Sequence, residues 1–279
     1  MHQAIKNIKE LLLAYYPEAE VSGFTRIIME SVTGYSYANI LLDDKKLTRD
    51  QQNEIHAILE RLVKYEPIQY ILGETEFFGL PFCVNQHTLI PRPETEELVE
   101  LIVNENKDEH LSVLDVGTGS GCIAVALAKY MKNAEVSAWD FSQEALDIAS
   151  LNSKRNSVHV SFQKVDVLSD YPNDEKFDII VSNPPYVLES EKLTMNRNVL
   201  DYEPHSALFV PDSQALLFYE RIADIALNIL KPQGRLYFEI NQMKGTETMK
   251  MLQNKGLSNV QLYQDISKND RIIRAELKN

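Results

Sequence analysis

Leu114-Asp115-Val116-Gly117-Thr118-Gly119-Ser120-Gly121-Cys122-Ile123 is the stretch that decides the fold. An apolar run of strand length enters a glycine-rich turn, and the turn opens onto an apolar helical stretch from residue 122 to 127. Strand, glycine turn and helix in that order place the turn at the carboxyl end of the first strand of an α/β sheet. There a ligand can approach the backbone closely.

Working outward, strand-length apolar runs at 113–116, 136–139, 158–163, 179–182 and 236–240 alternate with helical patterns near 122–131, 143–153 and 214–230. This alternation predicts an α/β fold with a doubly wound, mostly parallel sheet and helices on both faces. At the end the pattern changes. Residues 260–263 and 272–277 are joined by the polar turn 267–270 with no helix between them, which predicts a C-terminal antiparallel hairpin.

Upstream, residues 1–72 show helical spacing, clearest at Ile55, Ile58, Leu59, Leu62 and Val63. Thr48 with Gln51 suits a capping box opening that helix, and the first dozen residues and 22–32 read as further helices. A small helical bundle follows from this. Carrying no acid/base or ligand cluster, it suits partner recognition. Residues 75–78 and 82–85 flank Gly79-Leu80-Pro81 as a β-hairpin. The expected organisation is a helical substrate-recognition bundle over 1–72, a β-hairpin linker over 73–92 and the α/β domain over 93–279.

Composition narrows the partners. The net charge of −13 divides into −3 over residues 1–75 (8 basic, 11 acidic) and −10 over 76–279 (20 basic, 30 acidic). Binding to a phosphate backbone needs Lys and Arg to displace counterions, so direct duplex DNA binding is not expected. Cys83 and Cys122 are too few for a disulfide framework and read as buried thiols, and no Cys/His spacing suggests a metal. No segment has the length and apolarity of a membrane span or a signal peptide, so a cytoplasmic setting is expected.

The glycine turn reads G-x-G-x-G and not the G-x-G-x-x-G of dinucleotide folds, which points to S-adenosylmethionine. Gly117, Thr118, Gly119, Ser120 and Gly121 are the candidate cradle. Asp140 ends the second strand about twenty residues later, where a carboxylate can accept from both ribose hydroxyls. Asp166 is placed to reach the adenine amine with Val167 or Leu168 against the ring, although a helix N-cap is an equally physical use for it.

The fourth strand runs into Asn183-Pro184-Pro185-Tyr186. Two prolines fix φ and remove two N–H donors, so the turn is a stiff platform of acceptors. The Asn183 side-chain oxygen and the Pro184 carbonyl can each accept from a planar NH2 group, with the Tyr186 ring packed against its plane. Gripping both N–H bonds favours the geometry in which the nitrogen lone pair faces the methyl donor, so no strong base is required. Asn183, Pro184 and Tyr186 are the catalytic candidates. Asn183, standing at the junction, is assigned to the cofactor site as well, and Pro185 joins the substrate site.

At this point the chain resembles the HemK-like family of peptide chain release factor glutamine methyltransferases. The likeness is carried by segments 67–73, 77–84, 89–96, 114–123, 182–187, Tyr202-Glu203-Pro204 and Ala207-Leu208. It implies a helical N-terminal domain, a class I methyltransferase domain and action on the glutamine of the Gly-Gly-Gln motif in class 1 release factors. It also implies that residues 117–121 and Asp140 hold S-adenosylmethionine and that Asn183, Pro184, Pro185 and Tyr186 hold the glutamine amide. Where the family has a glycine after the fifth strand's Glu-Ile, this chain has Asn241, which puts the local backbone shape in question. Arg92 and Glu94, at the start of a helix opened by Pro93, are candidates for shaping the substrate entrance, with residues 202–205 on its other side. Two other readings stay open: an adenine-specific nucleic-acid methyltransferase, whose substrate offers the same NH2 geometry, and a catalytically silent cofactor-binding adaptor of a translation factor.

Overall fold

The computed structural model describes residues 1–42, 45–106 and 110–278. The chain divides into two compact units. The first comprises residues 1–73 together with 196–202, a segment that the sequence reading left inside 93–279. Its helices are α1 (His2–Leu12), α2 (Glu18–Thr33), α3 (Tyr37–Leu42), α4 (Arg49–Leu62) and α5 (Ile68–Leu72), with α9 (Arg197–Tyr202) joining from far along the chain. Ile8, Leu12, Val21, Ile28, Met29, Ile55, Ile58 and Leu62 fill the core of this bundle. The capping box at α4 is present: Gln51 N donates to Thr48 Oγ1 at 3.2 Å and Thr48 N donates to Gln51 Oε1 at 3.0 Å. Val63 closes α4 half-buried, past the buried face. α9 is held here because the Arg197 guanidinium lies 4.5 Å from the centre of the Tyr65 ring and the Tyr202 hydroxyl donates to Lys64 O.

The second unit, residues 74–195 and 203–279, opens with the hairpin β1 (Glu74–Phe77) and β2 (Leu80–Cys83). Its turn is Phe78-Gly79, one residue earlier than the sequence suggested. Phe77 pairs with Leu80, and φ values of 51° and 72° at the two turn residues give the twist that a two-residue hairpin requires. The hairpin is stitched into this unit. Asn152 exchanges two hydrogen bonds with the Cys83 backbone, and Phe77 and Phe82 lie in the same core as Leu98 and Val99. Cys83 is half-buried beside Arg155, which corrects the expectation of a buried thiol, whereas Cys122 is buried.

Helix α6 (Pro93–Glu105) leads into the sheet, built from β3 (Ser112–Val116), β4 (Glu135–Asp140), β5 (Ser161–Lys164), β6 (Phe177–Ser182), β9 (Leu230–Glu239), β10 (Ser258–Gln264) and β11 (Asp270–Glu276). Their order is β10-β11-β9-β6-β3-β4-β5, with the last five parallel and β11 antiparallel to both its neighbours. This is the doubly wound, mostly parallel sheet with a terminal antiparallel hairpin that the alternation of runs predicts. Val113 and Leu114, Ile179 and Ile180, and Tyr237 and Phe238 send successive side chains into opposite cores. One core lies under α6 and α7 (Cys122–Tyr130), the other under α10 (Leu217–Ile229) and α11 (Gly245–Asn254). Strands covered on both faces read as unbroken apolar runs, and each fully buried Ile or Leu stabilises the sheet by about 1.5–3 kcal/mol.

Three element boundaries differ from the sequence reading. β5 starts at Ser161 because Ser157, at φ 55°, turns the chain back and Val158 is tied to Ser153 at the end of α8 (Gln143–Arg155). α10 begins at Leu217 after a short 3-10 turn over Asp212–Gln214, and β9 begins at Leu230 with a register break before Arg235. Two short strands, β7 (Val187–Leu188) and β8 (Phe209–Val210), pair beyond the main sheet.

Candidate active site

Strand order reverses between β3 and β6, and both strands end at one cavity of about 370 Å³ within the second unit. Ligands favour that switch point because the loops from its two strands diverge there. Ser182 Oγ donates to Val116 O at 2.6 Å, tying the two strand ends together immediately before their functional turns.

The glycine turn is shaped by its own backbone. Gly117 N and Thr118 N both donate to Trp139 O, while Gly117, Gly119 and Gly121 take φ values of 76°, 54° and 80° that favour glycine. A side chain at Gly117 or Gly119 would meet no atom within 4 Å, so the bare backbone there borders open space. Gly121 serves differently. A Cβ there would lie 2.9 Å from the Ala149 Cβ, so its role is close packing of α7 on α8, and it does not line the cavity.

Asp140 lines the cavity while almost fully buried; Gly119 N donates to its Oδ2 at 2.8 Å and Ser142 N to its Oδ1 at 2.9 Å. Burial raises its pKa above the ordinary carboxylate range, and the backbone donors counter that. Each oxygen keeps a lone pair for a ligand hydroxyl. Asp166 and Val167 also line the cavity, but Leu168 does not. The Asp166 carboxylate closes a local turn, accepting from Leu168 N and Ser169 Oγ at 3.0 Å each; no helix follows, so it is not an N-cap.

On the acceptor side Asn183, Pro184 and Pro185 line the cavity. Asn183 Nδ2 donates to Thr95 Oγ1 at 3.2 Å. Tyr186 does not line this cavity; it is half-buried, and its hydroxyl donates to Glu239 Oε1 at 3.2 Å. Burial, and then the neighbouring Glu239 carboxylate, push the Tyr186 phenol well above its ordinary pKa, so it stays protonated and acts as a fixed donor.

The entrance also differs. Arg92 lines the cavity but is braced against Glu203, Nη2 to Oε1 at 2.6 Å, while Ile90 N donates to Glu203 Oε2. Glu94 is exposed in the first turn of α6 and does not line the cavity. Of residues 202–205 only Pro204 does so, followed by Ser206 and Ala207. Tyr202 belongs to the other unit.

Several residues were missed. Phe141 and Cys122 line the cavity, the Cys122 thiol pushed by burial to about 12. Asp115, under the glycine turn, accepts from Thr118 Oγ1 at 2.6 Å and Ala124 N at 3.2 Å, and burial raises its carboxyl to about 7. Its position beside Thr118 in the quoted strand was the available signal. Asn241 has an ordinary φ of −62°, so no glycine is needed there. Its Nδ2 donates to Tyr186 O at 3.2 Å and its Oδ1 accepts from Met243 N, clamping the acceptor turn. Among the described residues no group of three His, Cys, Asp or Glu side chains is placed to hold a metal, and no helix is long and apolar enough to cross a membrane.

An open backbone cradle with a buried carboxylate, facing a stiff acceptor turn, can align a nucleoside-bearing donor with a planar NH2. Comparisons with known proteins give the family. Residues 3–73 match the family model described as PrmC N-terminal domain, and residues 94–201 match Methyltransferase small domain. The release factor glutamine methyltransferase of Flavobacterium psychrophilum is 46% identical over 98% of this chain and 99% of its own length. That of Bacteroides thetaiotaomicron is 46% identical over 99% of both chains. Among solved structures, a methyltransferase from Pyrococcus furiosus matches with TM-score 0.55 at 16% identity, covering 83% of this chain and 100% of that one, a likeness of fold. The full-length similarity to these relatives, over both the helical and the α/β parts, means that the chain belongs to the release factor glutamine methyltransferase family.

Proposed function

We propose that this chain transfers a methyl group from S-adenosylmethionine to the side-chain amide nitrogen of the glutamine in the Gly-Gly-Gln motif of class 1 release factors. The observation that carries this reading is that the glycine turn after β3 and the Asn183-Pro184-Pro185 turn after β6 border one cavity from adjacent strands.

S-adenosylmethionine supplies a sulfonium-activated methyl when bound. The bare backbone at Gly117 and Gly119 gives room for a close approach, with Thr118 and Ser120 beside it, and Asp140 accepts from the ribose hydroxyls. Val167 and Asp166, both in the cavity wall, would hold the base, Val167 by packing and Asp166 by accepting from its amine. Asn183 Oδ1 and the Pro184 carbonyl accept the two amide hydrogens, and Pro185 keeps that turn rigid. Tyr186 supports the turn from beneath. Alignment of this kind can lower a barrier by about 7–11 kcal/mol without a general base. Arg92, held by Glu203, shapes the entrance, while Glu94 stands outside it. The unit built on residues 1–73 is proposed to recognise the release factor in the cytoplasm. Large apolar side chains such as Leu13 and Leu42, exposed on it, suit a protein partner.

Incubating the protein with a release factor and labelled S-adenosylmethionine, then locating the label by mass spectrometry, tests this reading. One methyl on the Gly-Gly-Gln glutamine is expected. Label on duplex DNA alone would favour the adenine reading, and no transfer to any substrate would favour a silent adaptor.

A further inference from the structure

The acceptor turn is held by a hydrogen-bond chain with a direction. Glu239, at the end of β9, is only 1% exposed, and both carboxylate oxygens accept: Oε2 from Thr95 Oγ1 at 2.6 Å, and Oε1 from the Tyr186 hydroxyl at 3.2 Å. A hydroxyl has one proton to donate. With that proton committed to Glu239, the Thr95 oxygen can only accept, so Asn183 must meet it with its NH2 end. The other end of the amide, Oδ1, is left for the cavity that Asn183 lines.

We propose that Thr95 and Glu239 are positioning residues that set which end of the Asn183 amide faces the acceptor, making the turn selective for an NH2 group over a carbonyl. The proposal rests on the reading of this turn as the glutamine-amide site. Burial raises the Glu239 pKa, but the Thr95 and Tyr186 donors and the nearby Arg271 pull it back toward the charged form that the chain requires. Arg271 is itself paired with Asp265 at 3.1 Å, so its charge is held in place. An unpolarised pair would leave the amide free to turn over. A substrate NH2 would then meet an NH2.

The test reverses the chain on purpose, using the full-length enzyme, a release factor and S-adenosylmethionine. In Glu239→Gln the new amide can donate to Thr95 and still accept from Tyr186, which frees the Thr95 proton for Asn183 Oδ1 and lets the Asn183 amide turn over. Its kcat should fall about tenfold to a hundredfold, with S-adenosylmethionine affinity unchanged. Asn183→Asp alone should fall similarly, because its carboxylate faces an oxygen whose proton is committed elsewhere. Combined, the two changes restore a consistent direction, and the double variant should exceed either single variant at least tenfold. A merely structural role for Glu239 gives no such rescue.

Thr95→Val, which keeps the shape and removes the hydroxyl, should lose kcat like Glu239→Gln, while Thr95→Ser stays within about threefold of the parent. Thr95→Val carries the test if Glu239→Gln does not fold, as judged by its thermal midpoint. Wild-type kcat in both variants, or a double variant no better than the worse single, overturns the proposal. Asn183→Ala separates the two levels. Full activity there overturns the amide-site reading itself, whereas loss there with wild-type kcat in Thr95→Val and Glu239→Gln overturns only the positioning role.

Discussion

The glycine-lined half of the cavity and the proline-locked half draw their support from different distances along the chain. Around the glycine turn the partners are close in sequence: Thr118 with Asp115, Gly119 with Asp140, Asp140 with Ser142. Around the acceptor turn they are remote, with Asn183 bound to Thr95, Thr95 to Glu239 and Tyr186 to both Glu239 and Asn241. A cradle made of backbone tolerates changes in its neighbours, while a platform oriented by side chains depends on them. The two halves should therefore fail in separable ways.

Asn183→Ala should break the acceptor half most severely, lowering kcat by about a hundredfold to a thousandfold with S-adenosylmethionine affinity within twofold of the parent. Parallel loss of cofactor affinity would show that the halves are not independent. Asp140→Ala should do the converse, weakening S-adenosylmethionine binding about tenfold to a hundredfold in calorimetry while leaving the KM for release factor unchanged. A raised KM for release factor in that variant would contradict the separation.

Asp115 sharpens the contrast through stability. Burial lifts its carboxyl from an ordinary 3.8 to about 7, and its buried Oδ1 lacks a hydrogen-bond partner among the described residues. The folded state thus holds the proton more tightly than the unfolded chain. This contribution to stability is full below pH about 4 and lost as the pH rises through about 7. Asp115→Asn should flatten that loss and raise the thermal midpoint at pH 8 by about 5 °C. Equal pH slopes in parent and variant would count against it. The smallest effect should come from Asn241→Gly, which removes one clamp on the Tyr186 carbonyl and leaves Glu239 in place. A loss in kcat of about threefold is expected, and a loss matching that of Asn183→Ala would mean the clamp dominates.

The same contrast explains what could be read in advance. The parallel sheet, the capping box at Thr48 and the cavity-lining Gly117, Gly119, Asp140 and Asn183 are legible because periodicity and motif spacing are local properties. Thr95 read only as part of a helix start, and Glu239 only as the end of a strand, since their partners lie 144 residues apart. The Tyr186 hydroxyl binds a buried carboxylate, and a tyrosine after two prolines carries no local sign of that. Gly121 looked like its neighbours in the motif, yet Ala149, on a different helix, decides its role. The grouping of residues 196–202 with the helical unit depends on Arg197 meeting Tyr65, a contact no spacing rule anticipates.

The bond from Ser182 to the Val116 carbonyl sits between parallel neighbours, and strands in a sheet lie about 4.8 Å apart. On the proposed reading, the offset between methyl donor and recipient is thereby inherited from a backbone ladder completed during folding. Each turnover begins with the two anchoring turns already in register, and warming that leaves the sheet intact leaves that register intact as well.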